Sequence, residues 1–133
     1  MLFGQQHVKR YQETDGAEGH EWQGTHVLIL TTTGRRSGRS RSTPLIYGRD
    51  GENYVVVASK GGAEEHPGWY LNLLSQPEVQ VQVRGDRFAA RARTATAEEK
   101  PELWRAAVER WPAYADYQRN TDRDIPVVIL ERS

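Results

Sequence analysis

Four arginines, Arg35, Arg36, Arg39 and Arg41, fall within the stretch TTTGRRSGRSRST, residues 31–43, interleaved with Ser37, Ser40, Ser42 and Thr43. A guanidinium is planar, permanently charged and shaped for bidentate contact with phosphate or carboxylate. Gly34 and Gly38 let the backbone turn and approach a ligand closely. No acidic residue occurs between Glu21 and Asp50, so nothing nearby in sequence neutralises the arginines. The stretch reads as a loop built to hold an anion. A merely solvated basic loop, or a nucleic-acid patch, is the competing reading.

Two further groups have chemical potential. Ser59-Lys60-Gly61-Gly62 sits at the end of an apolar run, where small residues let backbone amides face a ligand. A lysine there adds a charge to the same anion site; taken alone, the four residues make a turn. Trp69 and Tyr70 follow, and an indole beside a glycine-rich loop either stacks on a flat ring or joins the core. Trp111, Tyr114 and Tyr117 recur every three residues, which on a helix places them near one face. They form either barrel packing or an apolar wall that offers phenol hydroxyls to a carbonyl or nitro oxygen. His7, His20, His26 and His66 show no zinc-ligand spacing, and no metal site is expected. The chain also lacks cysteine, a nucleophile elbow and a Walker-type phosphate loop. Glu64 and Glu65 read as a solvated pair. An anion clamp and aromatic walls without a self-contained catalytic set imply a borrowed reactive group, with the protein supplying binding, orientation and electrostatics.

The elements that position these groups follow from the apolar pattern. Residues 27–33 open with four consecutive apolar residues, a strand covered on both faces. Residues 41–49 form a second strand, ended by the hairpin signal Asp50-Gly51. Residues 53–59 form a third. Pro67 and Pro77 bracket a short helix over residues 69–75. Val79, Val81 and Val83 alternate with Gln80 and Gln82. The turn Arg84-Gly85-Asp86 leads back into residues 87–94, where Phe88, Ala90 and Ala92 share one face. Leu103, Ala107, Val108 and Trp111 carry a helical period, a second helix spans residues 113–120, and residues 125–131 form the last strand. Tight hairpins mean antiparallel pairing, and apolar runs favour a closed sheet. The expected fold is mainly β (α+β), a small antiparallel split β-barrel with a few appended helices.

The bulk numbers agree. The chain has 133 residues, room for one core, with 18 basic and 18 acidic residues that leave no net charge. Neutrality argues against a dedicated nucleic-acid binder. No run approaches a membrane-spanning length and the start shows no secretory pattern, so a cytoplasmic protein is expected. Residues 1–25 read as a loosely packed, partly ordered segment ahead of a domain over 26–133. Leu2 and Phe3 offer membrane contact or cover for a cofactor as the alternative.

Four blocks, LTTTGRRSGRSRSTPL (30–45), VASKGGAEEHPGWYLNL (57–73), PEVQVQV (77–83) and YADYQRNTDRDIPVVILE (114–131), together resemble the deazaflavin-dependent nitroreductase family of actinobacteria. The resemblance runs from about residue 26 to the C-terminus. It implies a split β-barrel that binds coenzyme F420, a flat deazaflavin with a phosphate and an acidic tail, and that is often dimeric. By the resemblance, Arg35, Arg36 and Arg41 hold the phosphate, with Lys60 near the cofactor. Ser59, Gly61 and Gly62 line the deazaflavin, and Pro67, Gly68 and Trp69 pack beside it. Tyr114 and Tyr117 match substrate-pocket tyrosines, whereas Trp111 and Ile46 replace tyrosines of the nitroreductase. Those departures bear on nitroimidazole activation and leave quinone reduction open. The implied activity is hydride transfer from reduced F420 to a planar acceptor such as a quinone or nitro compound. In it Ser59, Tyr114 or Tyr117 polarises the acceptor oxygen and solvent supplies the proton. A polyanion-binding module for nucleic acid or acidic lipid, or a non-catalytic flavin, haem or F420 carrier, is the alternative.

Overall fold

A computed structural model describes residues 2–133. The elements run α1 (Gly4–Thr14), β1 (Glu21–Trp22), β2 (Thr25–Thr33), β3 (Ser40–Ile46), β4 (Gly48–Asp50), β5 (Asn53–Val57), α2 (Gly68–Ser75), β6 (Glu78–Val83), β7 (Asp86–Thr94), α3 (Lys100–Arg110), α4 (Ala113–Arg119) and β8 (Val127–Arg132). A single 3₁₀ turn, Lys60–Gly62, lies between β5 and α2.

All strand pairs are antiparallel, and the sheet order is β1-β2-β6-β7-β8-β5-β4, with β3 also paired to β2. Residues 40–50 act as one bent ribbon. Its first half pairs with β2, from Val27↔Ile46 to Thr33↔Ser40, and its second half pairs with β5, from Gly48↔Val55 to Asp50↔Asn53. The bend falls at Tyr47, whose backbone N–H still reaches His26 O (3.0 Å). The ribbon joins the two ends of the curled sheet, which is how the barrel closes. The single strand expected over residues 41–49 is thus divided at Tyr47, because one straight strand could not face both neighbours.

The continuous apolar run of β2 has a simple cause. Leu28 and Leu30 point into the barrel with Tyr54, Val56, Val81 and Leu130, while Val27 and Ile29 face outward onto Val8 and Tyr11 of α1. β5 is covered in the same way, with Val56 inside and Val57 under Ala107, Tyr114 and Ile125. Each such side chain, fully buried, stabilises the fold by about 1.5–3 kcal/mol relative to exposure. β7 is covered on one face only, and Phe88, Ala90 and Ala92 alternate with exposed neighbours.

The N-terminal segment departs from the expected loose terminus. Residues 4–14 are helical, with His7, Val8 and Tyr11 buried on one face, and Tyr11 is fully inaccessible. The Tyr11 hydroxyl accepts the Arg84 N–H (2.8 Å), and burial pushes its pKa up to about 12. The i, i+1, i+4 spacing of His7, Val8 and Tyr11 was all the sequence offered for this helix, too little to stand out among glycines and charges.

Candidate active site

The arginine loop, residues 34–39, is folded on itself: Gly34 N–H donates to Arg39 O (2.7 Å) and Gly38 N–H to Gly34 O (2.9 Å). Gly38 holds φ +71°, a conformation that costs an L side chain. From α2, the buried Asn72 side chain fixes the loop's start. Its Oδ1 accepts the Arg35 backbone N–H (3.2 Å) and Nη1 (2.9 Å), and its Nδ2 donates to Thr32 Oγ1 (3.1 Å). Arg35, Arg36 and Arg41, with Ser37, Thr43 and Gly68, line a recess of about 450 Å³. No carboxylate lines it, and none of these arginines forms an ion pair among the described residues. Unpaired guanidiniums around a concave, partly hydroxylated surface form an anion site. Arg39 does not line the recess.

A second cavity of about 400 Å³ lies beside the first, and Trp69 belongs to both. Its floor is Ser59, Lys60, Gly61 and Pro67, and its aromatic side is Trp111, Tyr114 and Tyr117. Trp111 caps the end of α3 rather than sitting on a helix with the two tyrosines, yet all three face this one space. Gly61 holds φ +62°, and an added Cβ there would meet nothing, so backbone faces open volume. Gly62 lines neither cavity. Its φ is +83°, and a Cβ would come 2.7 Å from Tyr117 O, so its role is to let α4 press against the turn.

The floor is organised by a residue the sequence did not single out. Arg123, just before β8, donates from Nε to Ala63 O (2.7 Å), from Nη1 to Ala58 O (3.1 Å) and from Nη2 to Ser59 O (2.5 Å). Its Nη1 also faces His66 Nδ1 (3.1 Å). A neutral His66 accepts there, in keeping with a pKa lowered first by burial and then by the Arg123 charge. Nothing in the run YQRNTDRDIP marks Arg123 for this task, because its partners are backbone carbonyls some 60 residues away. Asn72, the other unforeseen residue, likewise acts across 37 residues.

Tyr114 is 5% exposed, and burial pushes its pKa up to about 12, so its hydroxyl stays protonated near neutral pH. That hydroxyl has no hydrogen-bond partner among the described residues and is free to donate to a ligand.

An anion recess sharing an indole wall with an apolar, donor-lined cavity suits a flat redox cofactor with a charged tail. The family model for F420H(2)-dependent quinone reductase matches residues 3–132. The chain belongs to this family. Its membership takes in the N-terminal helix as well as the four blocks noted above. An F420H(2)-dependent quinone reductase of Mycobacterium tuberculosis is 40% identical over 130 residues, covering 95% of this chain and 87% of the relative. A solved structure of an F420-H2 dependent reductase is 43% identical, with 79% and 93% of the two chains covered and a TM-score of 0.73. Another, described as a domain-swapped dimer, is 39% identical, with 96% of each chain covered and a TM-score of 0.76. Coenzyme F420 is the cofactor of this F420H(2)-dependent family, and the split-barrel expectation holds. The residues fit that group: uncompensated guanidiniums for phosphate and acidic tail, and an unobstructed Gly61 backbone beside Trp69 for a planar ring.

Proposed function

We propose that the protein is a quinone reductase using reduced F420, with the cofactor's phosphate held by Arg35, Arg36 and Arg41 and its ring over Ser59, Lys60, Gly61, Pro67 and Trp69. The observation that carries this reading is the adjoining of an uncompensated arginine recess and an aromatic cavity across one shared wall. Reduced F420 supplies a hydride when bound. The protein's own part is to bind, orient and stabilise charge. Gly68 lies in the arginine recess, and Gly62 acts by letting α4 approach.

The acceptor occupies the aromatic side, flanked by Trp111, Tyr114 and Tyr117, with Leu45 and Ile46 supplying apolar contact. Reduction places negative charge on an acceptor oxygen, and Ser59 and Tyr114 are the hydroxyls positioned to donate to it. A donor held in place before the charge appears costs no reorganisation. Tyr117 supplies a second phenol at the cavity edge. Leu2 and Phe3 line the same cavity, so they cover the acceptor in this reading and membrane contact has no part in it. No helix among the described residues is long and apolar enough to cross a membrane. The likeness to a structure described as a domain-swapped dimer supports a homodimer.

The test is to follow oxidation of reduced F420 against a panel of quinones and nitro compounds, beside binding titrations with F420 and FMN. Turnover of quinones together with selective F420 binding is expected. Binding of FMN in preference to F420, or binding without any turnover, would sink the reading.

A further inference from the structure

One titratable group in the acceptor cavity has no part in the account above. His7, on α1, lines the cavity and is 3% exposed. Its Nε2–H donates to Gly19 O (2.8 Å), which fixes the ring and its tautomer. Gly19 makes room for this: it holds φ +106°, and a Cβ there would lie 2.9 Å from His7 Cδ2. The other ring nitrogen, Nδ1, has no partner among the described residues. An imidazole oriented through one nitrogen, with the other left free beside a ligand cavity, has the arrangement of a general acid or base.

We propose that His7 delivers the proton that completes reduction of the acceptor. This rests on the quinone-reductase reading of the cavity. Converting a quinone to a hydroquinone takes two electrons and two hydrogens. The hydride brings both electrons and one hydrogen: the donor's C–H bond breaks, a bond to the acceptor forms, and the remaining charge settles on an acceptor oxygen. Imidazolium His7 gives up its Nδ1–H to that oxygen and returns to the neutral ring, and solvent then restores its proton.

The alternatives in the same cavity are poorer acids. No carboxylate lines it. The Tyr114 hydroxyl is held near 12, Ser59 is an alcohol, and Lys60 is an exposed ammonium. Imidazole is the side chain most often used to deliver a proton in a reaction. The titratable groups around His7 are Tyr11 on its own helix, 6.5 Å away between ring centres, and Lys60, Tyr114 and Tyr117 around the cavity. Trp22 packs on the ring from β1 (6.4 Å).

The experiment pairs kinetics with NMR. His7→Gln keeps a donor for Gly19 O but carries no transferable proton. We expect it to bind F420 with unchanged affinity while kcat falls roughly a hundredfold. Independently of turnover, adding 1,4-naphthoquinone to cofactor-free native protein should move the His7 ring resonances and leave those of His20, His26 and His66 in place. Native kcat in His7→Gln, or unmoved His7 resonances, overturn the proposal. Failure of the native protein to bind F420 or turn over quinones would instead strike the cavity's assignment, which the NMR result on His7 does not depend on.

Discussion

Arg35 and Arg36 stand side by side in a recess without a counter-charge, so an anion bound there would displace no ionic partner. A hydrogen bond to a charged group contributes about 1.5–3 kcal/mol. Changing both arginines to alanine should therefore weaken F420 binding at least a hundredfold in a fluorescence titration, with a larger loss at low salt, where charges are less screened. Tyr114→Phe removes one donor and keeps the ring. We expect kcat to fall about ten- to a hundredfold with F420 affinity little changed, measured by steady-state quinone reduction. These residues were legible in the sequence because arginines, glycines and tyrosines announce their chemistry by type. Asn72, Arg123 and His7 were not, since their importance lies in backbone groups brought close only by folding. Gly62 lines neither cavity, and its close approach to Tyr117 O is a tertiary contact that residue type does not announce.

At the level of elements, the turn that floors the aromatic cavity depends on a guanidinium from the other end of the chain. Arg123→Met removes the donor to Ala58 O and Ala63 O and leaves Ser59 O with the Gly62 N–H alone, and we expect a loss of about 2–4 kcal/mol in stability. Thermal unfolding would read this as a midpoint lowered by several degrees, with F420 affinity reduced as the Ser59–Gly61 backbone loosens. Gly62→Ala is the counterpart where the turn meets α4. A Cβ 2.7 Å from Tyr117 O, at φ +83°, forces the helix away from the turn, so the quinone KM should rise more than the F420 dissociation constant. The strands were readable because apolar runs and alternation record how many faces are covered. The split of residues 40–50 at Tyr47 and the ordering of α1 were not. Both arise from closure of the sheet and from the outward-facing Val27 and Ile29, which demand a cover that local propensity does not name.

For the whole molecule, acid should act in two stages. His20 and His66 both have pKa values lowered from 6.5 chiefly by burial, so the unfolded chain binds protons more readily than the folded one. Their contribution to stability is complete above about pH 6.5 and declines as pH falls below it. Glu99 is held near 2 by its hydrogen bonds to Arg93 and Thr96, against an ordinary 4.5, so its share persists until pH falls through that lower range. Unfolding midpoints measured from pH 8 to 3 should show both declines, and His66→Gln should flatten only the first. A last consequence follows from the indole wall. Three of the four tryptophans, Trp22, Trp69 and Trp111, border the two cavities, while Trp104 packs with the α3 cluster. Native ultraviolet emission should therefore dim whenever a conjugated ring slides in, by energy transfer over a few ångströms. The enzyme carries its own optical gauge of occupancy, and Trp69→Phe should blunt the signal from both compartments at once.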